Sequence, residues 1–276
     1  MSSFSRVLLA SDLSKQTANM TDGLTSLCPD GDTVIFLAHI FEDDDDAEPR
    51  GRTYKKTIAN LENYKQTLLA KGYRDIQICT AKGDAAEEIH HLTEANDADL
   101  IFVASHRKGF IRSAIMGNST TYDLARQALQ PIFIDKDDDD ADANLLKTVL
   151  IATDFSKKSL QSLNIVRELR DKVERCLFVH VIEDEDSTTA EDARMFLQEL
   201  VEEMKIFGIH AEHRLASGIA SREIISIAEK EGAQIIMMAK TGSGADNDDP
   251  LGSTSKALLV NAKCALLLMP DISDDD

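Results

Sequence analysis

Proline and glycine are scarce, at 5 and 13 of 276 residues, while 43% of the chain is apolar. That balance excludes a disordered or low-complexity chain and leaves a globular one with enough apolar mass for a core. No apolar run approaches the length of a transmembrane helix. The opening residues, Met1 to Arg6, lack the charged head and apolar stretch of a signal peptide. Cysteine is sparse too. Cys28, Cys79, Cys176 and Cys264 stand far apart with no CxxC pair, which argues against a zinc site and a disulfide frame. Cys176 and Cys264 lie in apolar surroundings and read as small core residues. Basic charge is the last shortage: 30 Lys and Arg face 49 Asp and Glu, a net charge of -19 at pH 7. So acidic a surface repels nucleic-acid phosphates and anionic lipid, and neither is expected as a partner. A high-salt adaptation fits less well, because lysine remains abundant. The expectation is a soluble, cytoplasmic protein.

What the chain does have, it has twice. Arg6-Val7-Leu8-Leu9-Ala10-Ser11-Asp12-Leu13-Ser14-Lys15 returns as Thr148-Val149-Leu150-Ile151-Ala152-Thr153-Asp154-Phe155-Ser156-Lys157. Ile35 to Ile40 is answered by Cys176 to Val181, Gly83 to Ile89 by Gly218 to Ile224, and Ala98 to Ala104 by Ala233 to Ala239. Four blocks recur in one order at nearly constant spacing, the mark of tandem duplication. Between the copies Asp135-Lys136-Asp137-Asp138-Asp139-Asp140-Ala141-Asp142 cannot bury itself and reads as a linker. The copies are accordingly placed at residues 1–136 and 145–270. The acid runs Asp43 to Asp46 and Asp274 to Asp276 read as a solvated loop and a frayed tail. Consecutive carboxylates in a loose segment do not set a metal geometry, and no metal is expected there.

Within a copy, short unalternating apolar runs sit between stretches of helical spacing. Val7–Ala10, Val34–Ile40, Ile76–Thr80, Leu100–Ala104 and Ile132–Ile134 suit strands buried on both faces. Ser14–Leu27, Tyr54–Lys71, Ala85–Ala95 and Ser119–Gln130 carry helix periodicity, with Ser14 and Ser156 as candidate N-caps. The implied fold class is α/β: two tandem, open, doubly wound, Rossmann-like domains with five-stranded parallel sheets. The last strand of each copy, Ile132–Ile134 and Leu266–Met269, is too apolar for an exposed edge. An intramolecular pseudo-dimer follows as an expectation, with a homodimer open; an isolated copy that stays monomeric counts against it.

Ligands in open α/β sheets bind beyond the carboxyl ends of the strands. In the second copy the segment there, Ala239 to Ser255, is rich in glycine, and Gly252-Ser253-Thr254 opens a helix. Glycines let the backbone approach an anion, and the first N–H groups of a helix are ready donors. A flexible connection is the plainer reading of the same residues. The spacing Ala239, two residues, Gly242, nine residues, Gly252-Ser253 resembles the nucleotide signature of the universal stress protein family, with Ala239 in place of its first glycine. The strand-one Asp, the His-plus-aliphatic end of strand two and the glycine before the third helix extend that resemblance along nearly the whole chain, twice.

The resemblance implies residue roles. Asp154, beside Thr153, and Val181 would take an adenosine; Ala239, Gly242, Gly252, Ser253 and Thr254 would form the phosphate loop. In the first copy Asp12 and Ile40 match the adenosine positions. Ala104-Ser105-His106-Arg107 lacks both leading glycines there, and Gly117-Asn118-Ser119 keeps only the last. Arg107, Lys108 and Arg112 attract phosphate but crowd the backbone's approach. In the second copy Asp246, Asp248 and Asp249 disfavour a bare triphosphate, so AMP, ADP or metal-bridged ATP, with Mg or Mn, is expected.

His39 and His180 sit at matched positions in apolar strands, where a hydrogen-bonded core histidine competes with a catalytic one. His90-His91 belong to a helix surface, and His210 and His213 point to opposite faces of a strand. Neither Asp12 nor Asp154 has a nucleophile or second carboxylate spaced to complete a catalytic set, and no GxxxxGK[ST] is present. The reading is an adenine-nucleotide-binding sensor or adaptor, its link to stress implied by the resemblance alone, with any ATP hydrolysis slow. Two rivals stand beside it: a protein-interaction module with dead pockets and an unknown protein partner, and an enzyme of the wider adenine nucleotide α-hydrolase-like group.

Overall fold

The computed structural model describes residues 4–13, 15–41, 51–105, 120–136, 144–182, 187–242 and 250–271. The chain folds as two compact units, residues 1–137 and 138–276. In the first, β1 (Arg6–Ala10), α1 (Lys15–Leu27), β2 (Val34–Phe41), α2 (Arg52–Ala70), β3 (Asp75–Lys82), α3 (Ala85–Ala95), β4 (Leu100–Ser105), α4 (Thr120–Gln127) and β5 (Ile132–Lys136) follow in order. The strands lie parallel in the order β3-β2-β1-β4-β5. The second unit runs β6 (Thr148–Ala152), α5 (Ser162–Glu168), β7 (Arg175–Ile182), α6 (Ser187–Ile206), β8 (Ala211–Ser217), α7 (Ala220–Glu231), β9 (Ile235–Ala239), α8 (Ser253–Asn261), β10 (Ala265–Met269). Its order, β8-β7-β6-β9-β10, is the same once the numbering is shifted by one copy. Each sheet therefore reverses its strand order between its first and fourth strands, which opens a crevice at their carboxyl ends.

Burial on both faces explains the continuous apolar runs. Val7, Leu8, Leu9, Phe36, Leu37, Phe102 and Phe133 are essentially inaccessible in the first unit, as are Leu150, Ile151, Leu177, Phe178, Met237 and Leu267 in the second. Phe102 and Phe133 pack with ring centroids 4.4 Å apart. Gly23 of α1 lies over that pair; a Cβ there would stand 3.1 Å from the Phe133 ring. Both second strands, β2 and β7, share one burial profile along their eight residues. The final two half-buried positions of that profile are His39-Ile40 and His180-Val181.

Several boundaries differ from the sequence reading. β3 spans eight residues rather than the apolar five, because it borders its sheet and keeps polar side chains such as Gln77 exposed. Charge alone places Asp135 and Lys136 in the linker, yet they continue β5 opposite Ala104 and Ser105. The ladder takes them in, and Lys136 is buried; the remainder of the acid run lies outside the described residues. Ser14 lies outside them too. Ser156 does not begin a helix, since residues 157–161 form turns before α5. It still caps that run, its Oγ accepting the Ser159 N–H at 3.3 Å. No helix among the described residues is long and apolar enough to cross a membrane.

Candidate functional site

The turn after strand one is built identically in the two copies. Thr153 donates its N–H to the Val179 carbonyl at 2.9 Å, and its Oγ1 accepts the Phe155 N–H at 2.9 Å. Ser11 does the same with Ala38 at 2.8 Å and Leu13 at 3.1 Å. Those bonds hold Leu13 and Phe155 at φ 59° and 64°, a left-handed conformation rare for side-chain-bearing residues. Such strain persists where the surroundings over-determine it, and it gathers at functional sites. Its effect is to set Asp12 and Asp154, the residues just before it, at the mouth of the crevice.

His39 and His180 serve this turn. Each Nδ1 lies 2.7 Å from the carbonyl of the first residue after strand one, Ser11 and Thr153 respectively. A carbonyl only accepts, so both rings carry a proton on Nδ1. The histidines tie the second strand to the first, which favours the hydrogen-bonded structural reading over the catalytic one. His180 also packs against Phe155, centroids 4.4 Å apart and the rings tilted by 34°, and Phe155 packs on Phe196 at 5.4 Å. The neighbours Ile40 and Val181 point to the opposite face of their strands, half-buried.

In the second copy three loop elements meet the turn. The Asp154 carboxylate is oriented by Ser156, whose N–H and Oγ donate to Oδ1 at 3.1 and 2.6 Å. Its Oδ2 would be 3.4 Å from a Cβ on Gly242, so backbone and carboxylate approach closely there. Gly252 closes the base of the loop, donating its N–H to the Lys240 carbonyl at 2.9 Å. A Cβ on Gly252 would stand 3.3 Å from that carbonyl, 3.5 Å from Thr241 Cα and 3.7 Å from the Gly242 nitrogen. Backbone crowds the Cβ position at Gly252, which is the physical reason for glycine there; at Gly242 a Cβ would make only ordinary contact with the Asp154 carboxylate. Ser255 Oγ donates to the Lys240 carbonyl at 2.8 Å and reaches that of Ala239 at 3.2 Å. Gly252 is also the N-cap of α8, where no side chain caps the first turn. Ser253 is exposed and Thr254 half-buried at that end.

The structure thus brings together Asp154, Gly242, Gly252, Ser253 and Thr254, with Val181 one strand away. Thr153 shapes the turn: its N–H, carbonyl and hydroxyl are engaged, the last also with Ser159 Oγ at 2.9 Å. Ala239 is buried under Ser255. Asp246, Asp248 and Asp249 lie outside the described residues, as do Gly117, Asn118, Ser119, Arg107, Lys108 and Arg112 of the first copy. Among the described residues no group of three His, Cys, Asp or Glu could hold a metal ion.

Sequence reasoning missed a polar cluster on the far side of the loop. Lys158 Nζ lies 3.1 Å from Asp271 Oδ1 and 3.4 Å from Thr241 Oγ1, and Thr241 donates to Asp271 at 2.5 Å. Burial holds the Lys240 ammonium below the usual lysine range, opposed by the Asp271 carboxylate. The cluster pins residues 240–241 to the segment after β10, and no spacing rule links Lys158 to Asp271.

Comparison with known proteins agrees with the duplication. The model of the Universal stress protein family matches residues 3–136 and again 146–270. The chain is 27% identical over 142 residues to Universal stress protein MJ0531 of Methanocaldococcus jannaschii, covering 46% of this chain and 83% of that one. The crystal structure of a universal stress protein from Archaeoglobus fulgidus matches at TM-score 0.76 and 21% identity, covering 98% of this chain and 97% of that one. A functionally unknown protein, PA1789 from Pseudomonas aeruginosa, matches at TM-score 0.70 and 15% identity over 98% and 94% of the two chains.

Proposed function

This chain belongs to the universal stress protein family, and on that premise we propose that its second copy binds an adenine nucleotide and works as a sensor or adaptor in stress physiology. The observation that carries the reading is the cradle around Gly252. Gly252, whose Cβ position is crowded by backbone, and Gly242, beside the Asp154 carboxylate, stand before an uncapped helix N-terminus bearing two hydroxyl residues. N–H groups at such an end attract and orient phosphate. Asp154 and the aliphatic Val181, on the other side, suit the hydroxyls of a ribose and the face of a base. An overall charge of -19 opposes nucleotide capture at long range, so affinity rests on these close donors. AMP or ADP suits them directly; ATP would bring Mg or Mn on its own phosphates. We place this activity in the cytoplasm, with one live pocket per chain and the first copy as a structural partner.

The test is calorimetric titration of AMP, ADP and ATP, with and without Mg²⁺, into the full chain and two variants. Near one site per chain is expected, lost in Gly252→Val, whose side chain meets backbone, and weakened about tenfold or more in Asp154→Ala. Binding that survives both moves the pocket to the first copy. No heat with any nucleotide sinks the proposal and puts a protein-interaction role first. That second reading has one observation of its own: Met195, Phe196, Ile206 and Phe207 leave large apolar side chains exposed on and just beyond α6.

A further inference from the structure

At one matched position the two copies choose opposite chemistries. Gly83 and Gly218, at φ 149° and 132°, turn the chain from β3 into α3 and from β8 into α7. Each donates its N–H to the end of the neighbouring second strand, Gly83 to Phe41 at 3.1 Å and Gly218 to Ile182 at 3.0 Å. The next residue therefore stands beside the strand end that carries Ile40 or Val181. In both copies it is the N-cap, with extended backbone. Asp84 fills that role with its side chain, accepting the N–H groups of Ala86 and Glu87 at 3.0 Å each. Ile219 caps nothing, and its side chain is 57% exposed.

The surroundings do not demand the exchange. Glu88 and Glu223 lie under their glycines in the same way, 3.3 and 3.6 Å from where a Cβ would be. Helix stability favours Asp, Asn, Ser or Thr at an N-cap and places isoleucine among the poorest choices. Solvation disfavours it as well, since a large apolar side chain is held in water. Ile219 helps neither the helix nor the core, and its exposed side chain is placed to meet an apolar surface brought by a ligand. It occurs in the copy that keeps the glycine cradle, next to the strand end bearing Val181.

We propose that Ile219 is the outer wall of the nucleobase subsite in the second copy, closing on the face of the base opposite the strand end. The inference rests on the nucleotide reading above and deepens it: the site takes a nucleotide with a planar base, held by apolar contact. Asp84 presents a carboxylate at the same place in the first copy and builds no such wall.

AMP is titrated into the full-length chain, into Ile219→Asn and into Ile219→Val, and each ligand-free protein is melted. Asparagine restores a cap without adding charge. Ile219→Asn should bind AMP about tenfold more weakly, the effect of losing half an isoleucine's apolar contact. It should also melt a few degrees higher without ligand. Ile219→Val should stay within about twofold of the parent. Parent binding with an unchanged Ile219→Asn overturns the wall alone. Weaker binding with a lower melting point also overturns it, because the residue is then structural. A parent that binds no AMP, ADP or ATP removes the nucleotide reading first and this inference with it.

Discussion

The two copies agree where the chain must bend and differ where solvent or a ligand meets it. Ser11 and Thr153, His39 and His180, Gly83 and Gly218 make the same bonds at nearly the same distances. Both copies also keep a left-handed residue after the strand-one Asp, Leu13 in one and Phe155 in the other. A strained turn kept twice has a shared architectural task, which is to hold a carboxylate at the crevice. Other matched positions diverge. Val34 begins β2, whereas Arg175 begins β7 and joins Arg214, Glu212 and Glu231 in an ion-pair network. Asp84 in the first copy corresponds to Ile219 in the second. The comparison teaches that the scaffold and the site separate at the level of single residues.

The largest break in that comparison should come from Arg175. Its guanidinium reaches Glu231 at 2.5 Å and Glu212 at 3.2 Å, and the Arg175 and Glu231 side chains are 22% and 16% exposed. Arg175→Ala leaves Glu231 with Arg214 alone and should destabilise the second unit by about 2 kcal/mol, between exposed and fully buried pairs. The hydrogen bond from Arg175, with that from Arg214, holds the Glu231 carboxyl below its ordinary range against the opposing effect of burial. A depressed folded pKa contributes stability that is complete above the unfolded value and is lost as pH falls through the folded one. Acidification below about pH 4.5 should therefore narrow the gap between parent and Arg175→Ala in thermal melts. A gap that stays constant to pH 3 would show that packing, not charge, sets the cost.

Next in size is the pair His180→Ala and His39→Ala. Each removes the donor to the carbonyl just after strand one and a ring contact, with Phe155 for His180 and with Phe41 for His39. About 1 kcal/mol is expected for each lost hydrogen bond, with a few tenths of a kcal/mol more for His180, whose ring lies closer to its aromatic neighbour. Chemical denaturation of both variants measures this. Equal losses would mean that the contact of His180 with Phe155 is worth no more than the edge-on contact of His39 with Phe41, centroids 5.0 Å apart. Alkylation offers a related check on the core: burial pushes the Cys176 thiol up to about 12, so it should stay unmodified at pH 8 until the chain unfolds.

The duplication and the parallel α/β plan were legible in the sequence because both-face burial writes itself as uninterrupted apolar runs, as in Val7-Leu8-Leu9 and Leu266-Leu267-Leu268. Gly252 of the loop was legible because a missing Cβ is a local demand, made here by the Lys240 carbonyl. Less could be read where long-range partners decide. Lys136 is buried by the β4 ladder although its neighbours are acidic. Ser156 looks like the N-cap of a regular helix, but the chain spends residues 157–161 in turns first. The Lys158, Thr241 and Asp271 cluster joins three segments that no periodicity connects.

The smallest expected effect is the most direct test of whether the copies differ by design at their third helices. Asp84→Ala removes two accepted N–H bonds and should cost about 1 kcal/mol, the ordinary value of an N-cap. Ile219→Ala removes no cap and frees an exposed apolar side chain from water, so its stability should lie within about 0.5 kcal/mol of the parent. Denaturant melts of the two variants compare one position in two settings, with the helices and the preceding glycine turns held alike. If Ile219→Ala proves as costly as Asp84→Ala, the isoleucine is packed against its own unit and is not available to a ligand. A clear cost for Asp84 beside none for Ile219 would leave the second copy with a side chain whose only return is what it touches when the crevice is filled.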